Sequence, residues 1–152
     1  MSTHQTQVVI IGGGPSGLLL SQLLHCKGIR SIVLEKHTRE YVLGRIRAGV
    51  LEHGFVNLMR EAGCSGRLNR EGEIHAGFHI AHQGRLDRID LAKHTGGETV
   101  MVYGQTEVTR DLYEARDAMG GVILHDVQNV QPHALKDARA YVTWEQDGAA
   151  HR

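Results

Sequence analysis

Gln7-Val8-Val9-Ile10-Ile11-Gly12-Gly13-Gly14-Pro15-Ser16-Gly17-Leu18-Leu19-Leu20 changes character twice along its length. Residues 8–11 are all apolar and mostly β-branched, as a strand buried on both faces requires. A glycine-rich turn follows, then an apolar segment that opens on Pro15, a residue suited to the first turn of a helix. Gly12, Gly14 and Gly17 have the G-x-G-x-x-G spacing that binds dinucleotides when it joins a strand to a helix. The first glycine permits the tight turn, the second lets a pyrophosphate approach the backbone, and the third lets the helix pack on the strand. The helix start offers free N–H groups and a positive dipole end to phosphate.

Outward from this stretch, the helix is expected over residues 15–27, with Leu19, Leu20, Leu23 and Leu24 on a broad apolar face and Gly28 as its stop. Residues 31–35 read as a second buried strand. The unit is a βαβ with a right-handed crossover by expectation. Glu35 closes the second strand about 20 residues past the glycines, where an acid accepts hydrogen bonds from the adenosine ribose. An acid there repels a 2′-phosphate, so a tightly held FAD or NAD fits better than NADP. The plainer alternative is a solvated glutamate at a strand end.

Residues 37–48 form a polar stretch. Arg45 and Arg47 flank Ile46 in an extended segment running on to Ala48 and Gly49, and arginine forks pair well with phosphate oxygens. A solvated basic loop explains the same residues equally well. A helix is expected over 50–62, ending at Gly63. Residues 73–82 alternate, with Ile74, Ala76, Phe78 and Ile80 on one side, and predict a half-buried antiparallel strand. Gln83-Gly84 is its turn and residues 85–91 its hairpin partner. His75, His79 and His82 invite a zinc reading, but on a strand His82 faces away from the other two and no cysteine or acid completes the set, so no metal is expected. Further on come a strand at 99–103, a helix at 105–118, a third parallel strand at 122–125, and an antiparallel pair at 127–132 and 140–145.

The 152 residues make one domain by length, and 41% hydrophobic content is enough for a core. A net charge of zero gives no reason to expect nucleic acid or an anionic membrane surface. Cys26 and Cys64 are too few for a disulfide framework and fit buried or free thiols in a reducing compartment. Residues 1–5 lack the charged start of a secretory signal, so a cytoplasmic location is expected.

Three stretches together resemble the para-hydroxybenzoate hydroxylase family of flavin-dependent aromatic monooxygenases. They are residues 12–20 quoted above, Tyr41-Val42-Leu43-Gly44-Arg45-Ile46-Arg47-Ala48-Gly49-Val50-Leu51-Glu52, and Tyr103-Gly104-Gln105-Thr106-Glu107-Val108-Thr109-Arg110-Asp111-Leu112. The first is shared by a very large class; the other two are far more specific. The resemblance implies that Ser16 and the glycine turn hold the FAD pyrophosphate and that Glu35 binds the adenosine ribose. Arg45, Ile46, Arg47, Ala48, Gly49 and Val50 become a mobile flavin loop, with Arg47 on the pyrophosphate. Gln105 contacts the ribityl or phosphate region. Lys36, Tyr41 and Arg45 lie where NADPH is engaged, although arginine is commoner than lysine at the position of Lys36. His75 corresponds to the outer end of a proton relay from the substrate phenol; as a bare strand residue it carries no such meaning.

The fold so implied is α/β, a Rossmann-like FAD/NAD(P)-binding domain of the glutathione reductase type with an inserted antiparallel β segment. Family members are longer, so residues 1–152 correspond to the N-terminal part of the FAD-binding domain, with 73–91 a hairpin reaching towards a substrate domain. The implied reaction converts 4-hydroxybenzoate to 3,4-dihydroxybenzoate with NADPH and O2, in an enzyme that is a homodimer. An NAD-linked Rossmann oxidoreductase would share the glycine turn and Glu35 but leaves the Arg45 loop and the hairpin unexplained. A non-catalytic nucleotide-binding piece is the third reading.

Overall fold

The computed structural model describes residues 3–45, 48–137 and 139–152. The chain opens with β1 (Val8–Ile11), α1 (Pro15–Cys26) and β2 (Ser31–Leu34), followed by α2 (Arg39–Gly44), β3 (Val50–Glu52), α3 (His53–Glu61) and α4 (Gly66–Glu71). Next are β4 (Glu73–His75), β5 (Gly77–His82), β6 (Arg85–Asp90), α5 (Leu91–Thr95) and β7 (Val100–Val102). The chain continues through α6 (Gln105–Ala118), β8 (Val122–Leu124), β9 (Gln128–His133), β10 (Tyr141–Gln146) and β11 (Ala149–His151).

β1, β2 and β8 form a parallel sheet with β2 in the middle, in register from Val8 opposite Ser31 and Ile32 opposite Val122. This is the 3-2-1 half of a doubly wound sheet. Every residue of β2 is buried because the sheet is covered on both faces. One cover is helical. Leu18, Leu19, Val56, Met59, Leu68, Val108, Leu112 and Tyr113 form a core between α1, α3, α4 and α6. The other cover is the antiparallel sheet β9-β10-β11, whose Trp144, with Val127 just before β9, closes on Ile32 and Leu34. A third small sheet, β3-β7-β4, lies behind the helical core, and β5 and β6 make a separate hairpin.

The structure corrects four expectations. Residues 39–44, read as part of a polar stretch, form a helix, which Thr38 caps by accepting a hydrogen bond from the Tyr41 N–H at 3.1 Å. Residues 50–52 begin as strand β3 paired antiparallel with β7, so the helix expected from Val50 starts only at His53. The strand expected over 73–82 breaks at Ala76, because residues 73–75 pair with β7 whereas residues 77–82 pair with β6. Its apolar side is not half-buried: Ile74 is 66% exposed, Phe78 48% and Ile80 45%. Alternation sets which residues share a face; it does not supply something to cover that face.

Burial of acidic core groups, Cys64 and Tyr113 among them, makes stability fall at alkaline pH. Desolvation pushes the Cys64 thiol from 9.0 up to about 11 and the Tyr113 hydroxyl from 10.0 up to about 12. Both are folded in their neutral forms, so their contribution is complete below pH 9, begins to fall as Cys64 ionises in the unfolded chain, and is lost by about pH 12. Denaturant unfolding across this range is expected to show a steadily falling midpoint, and Cys64→Ala to delay the onset of the fall. A flat midpoint from pH 9 to 11 would contradict the burial of these two groups.

Candidate functional site

The glycine turn performs three separate tasks. Gly12 sits at φ 115°, a backbone conformation that glycine alone adopts without strain, and donates to the Leu34 carbonyl at 2.8 Å. Gly17 packs so tightly that a methyl group there would fall on the Gly12 carbonyl oxygen and touch Ile10. Gly14 has the opposite surroundings: nothing lies within 4 Å of where its Cβ would be. It stands at the head of α1, whose start has no side-chain cap and no acidic residue in the first turn. The Ser16 and Gly17 N–H groups precede the first carbonyl they could use within the helix, so the helix end is open to an anion.

Glu35 is buried, at 7% exposure, and its carboxylate is built into the turn. Oε2 accepts from the Gly13 N–H at 2.7 Å and Oε1 from the His37 N–H at 2.9 Å. Its backbone joins neighbouring strands, donating to Leu124 and accepting from Val127. Each carboxylate oxygen retains a lone pair for a further donor. Glu35 clasps the turn to the end of β2, a contact that the sequence reading did not include.

Glu35 stands between two clefts. One, of about 200 Å³, is lined by Gly14, Pro15, Glu35, Lys36, His37, Tyr41, Val42, Arg45, Gln105 and Thr109. It brings together residues from all three quoted stretches. The other, about 270 Å³, lies between Ile11, Gly12, Leu34, Glu35 and Lys36 on one side and residues 127–130 on the other. The first is cationic, through Lys36 and Arg45; the second is mainly apolar, through Ile11, Leu34, Val127 and Val130. A larger cavity, about 410 Å³ beside Trp144, touches none of residues 12–17.

The remaining expected residues fall as follows. Tyr41 is exposed, stacks on His37 with ring centroids 4.0 Å apart, and lies under the Arg45 guanidinium at 5.8 Å. Gln105 opens α6 and is held by the Thr109 hydroxyl, which donates to its carbonyl at 2.8 Å. The approach to Gln105 is braced from below: Tyr103 donates to Asp111 at 2.8 Å, and Asp111 also receives two contacts from Arg67, at 2.9 and 2.7 Å. Ser16 is exposed on the first turn of α1. Ala48 precedes Gly49, whose carbonyl accepts from the Tyr103 N–H at 2.8 Å, and Val50 pairs with Val102. Ile46 and Arg47 lie outside the described residues. His75 lies on β4, 3.8 Å from Glu73, and lines neither cleft. His37 and Thr109 are lining residues that sequence reasoning missed; the adjacency of His37 to Glu35 and Lys36 was the available signal.

Residues 5–152 match the FAD-binding domain family. The chain belongs to that family. It is 43% identical over all 152 residues to a p-hydroxybenzoate hydroxylase of Acinetobacter baylyi, of which it spans 37%. Among solved structures it superposes on p-nitrophenol 4-monooxygenase of Pseudomonas putida with a TM-score of 0.79, 24% identity, all of this chain and 40% of that one. It superposes on PqsL of Pseudomonas aeruginosa with a TM-score of 0.78, 22% identity, 98% of this chain and 41% of that one.

The residues present fit FAD. The open space at Gly14, the uncapped helix start and the nearby cations suit a pyrophosphate, and the apolar second cleft suits a flat purine with Glu35 at its ribose edge. Among the described residues no helix is long and apolar enough to cross a membrane.

Proposed function

We propose that this chain is the FAD-holding part of an aromatic monooxygenase that converts 4-hydroxybenzoate to 3,4-dihydroxybenzoate with NADPH and O2. The observation that carries the reading is the first cleft, where the glycine turn, Glu35, Tyr41, Arg45 and Gln105 converge. The identity of 43% to p-hydroxybenzoate hydroxylase over the whole chain supports this substrate over other aromatic acids.

Bound FAD would supply the redox chemistry, accepting electrons from NADPH and passing them to O2. The chain's own residues do the holding. The Ser16 and Gly17 N–H groups face the pyrophosphate, joined by Arg47. Glu35 accepts from the ribose hydroxyls through its free lone pairs. Gln105 orients the ribityl end, and residues 45–50 cover the flavin. Lys36, Tyr41 and Arg45, exposed on the open side, engage NADPH. The β5–β6 hairpin presents Phe78 and Ile80 to a substrate domain, and His75 at its base relays a proton from the phenol. The whole enzyme is a cytoplasmic homodimer in this reading.

The test has two stages. The purified chain is titrated with FAD, following flavin fluorescence; Arg47→Ala is expected to weaken retention about tenfold or more, the loss of one charge-assisted contact. Unchanged retention removes Arg47 from the site. A full-length protein carrying these residues is then assayed for NADPH oxidation stimulated by 4-hydroxybenzoate and for 3,4-dihydroxybenzoate formed. FAD binding without stimulation would discard the substrate and leave the cofactor.

A further inference from the structure

On the face of α1 away from the glycine turn, four polar side chains converge where helix meets helix. Cys26, the last residue of α1, places its sulfur 3.9 Å from the Ala62 carbonyl oxygen. Cys64, two residues beyond that carbonyl, places its sulfur 3.4 Å from the same oxygen. Gln22, one turn before Cys26, donates to it at 3.1 Å. Arg116 of α6 donates from Nη1 to the Gln22 side-chain oxygen at 3.3 Å.

Two features set this cluster apart. Cys26 is exposed and Cys64 is buried, yet both sulfurs flank one oxygen atom. Arg116 is 3% exposed, its Nε has no hydrogen-bond partner, and among the described residues no carboxylate pairs with it. Burial lowers its pKa from the ordinary value, and the two neighbouring cysteines act in the opposite direction. A buried guanidinium without a carboxylate is costly, and the two sulfurs lie in its immediate polar surroundings.

We infer that Cys26 and Cys64 are a peroxide-responsive thiol pair that closes to an intramolecular disulfide and ties the end of α1 to the segment after α3. The Cys26 thiolate, open to solvent, attacks one oxygen of hydrogen peroxide; the O–O bond breaks, hydroxide leaves and takes up a proton, and Cys26 becomes a sulfenic acid. The Cys64 sulfur then attacks the Cys26 sulfur. The S–O bond breaks, and the oxygen leaves as water with the proton from Cys64. Two electrons pass from the two thiols to the peroxide, and two waters form. Cys64 is protected from direct oxidation by burial, which holds it as a neutral thiol. Burial dominates the Cys64 thiol, and the nearby Arg116 charge opposes it in part, easing the proton's departure as the disulfide closes.

The test treats the purified protein with hydrogen peroxide, blocks remaining thiols with an alkylating reagent, and maps the peptides by mass spectrometry. The expected result is a monomer that has lost both free thiols and two hydrogens in mass. The Cys26 and Cys64 peptides should be linked, and dithiothreitol should restore them. In Cys64→Ser, Cys26 is expected to stop at the sulfenic acid and be trapped by dimedone. In Cys26→Ser, Cys64 should stay unmodified. Arg116→Met is expected to slow disulfide closure several-fold without changing how fast Cys26 is oxidised; should that variant fail to fold, the two serine variants carry the test. Retention of both thiols, a Cys26–Cys26 dimer between chains, or equal dimedone trapping in wild type and Cys64→Ser would each overturn the inference.

Discussion

Gly17→Ala is expected to weaken both the fold and FAD retention severely, whereas Gly14→Ala weakens only retention. The two positions belong to one motif and meet opposite surroundings. A methyl at Gly17 lands on the Gly12 carbonyl oxygen, a backbone atom that can move only if the turn opens. Opening it also breaks the Gly12 N–H bond to Leu34 and separates α1 from β1. A loss above about 4 kcal/mol is the scale of such a clash, against a total stability of about 5–15 kcal/mol for a domain. At Gly14 the methyl enters empty space, and φ −76° with ψ 179° suits alanine. Its unfolding midpoint should stay within about 0.5 kcal/mol of wild type, as for a substitution that meets no neighbour. FAD affinity should fall at least about tenfold, because the methyl occupies the space the phosphates need. Denaturant unfolding and flavin titration of both variants check this. Equal stability of Gly17→Ala and wild type would refute the packing argument, and undiminished FAD affinity in Gly14→Ala would move the pyrophosphate elsewhere.

Asp111→Ala is expected to have the next largest effect. This carboxylate, 9% exposed, holds Arg67 of α4 through two contacts and Tyr103 after β7 through one. Removing one partner of a buried ion pair costs about 3–5 kcal/mol. Arg67 is 24% exposed and keeps Glu107 at 2.7 Å, which lowers the expectation to about 2–3 kcal/mol, still within the range for a broken network. That corresponds to a drop in melting temperature of roughly 4–12 °C at this size. Because Tyr103 leads directly into Gln105, FAD should also bind more weakly. Tyr103→Phe, which deletes one hydrogen bond and leaves the Arg67 pair intact, should lose only about 1 kcal/mol. A melting temperature unchanged by Asp111→Ala would show that the network carries no net stability.

The parts of this fold that were legible in the sequence are those governed by local periodicity or by glycine. The first strand, turn and helix, the second strand, α6 and the third parallel strand all follow from such signals. The family match agrees with the resemblance carried by residues 41–52 and 103–112. Three things were not legible. The helix at 39–44 depends on a single threonine cap, which looks like any polar residue in a polar run. The strand character of 50–52 comes from β7, a partner some fifty residues away in the chain, which no local pattern encodes. The network of Arg67, Tyr103 and Asp111 joins side chains whose sequence spacing carries no signature. For the site itself, sequence spacing located Glu35 but gave no hint that its carboxylate is already bonded to the backbone of the turn it faces.

That double engagement limits how this cleft can evolve. In a site where the selecting acid hangs free, exchanging it for a neutral or basic residue retunes nucleotide preference at little structural expense. Here the same two oxygens that would meet the ribose also hold Gly13 and His37. A lineage drifting towards a 2′-phosphorylated nucleotide would have to rebuild the turn in the same step as the preference. The two bonds therefore tie any change of the acid at position 35 to the integrity of the turn itself.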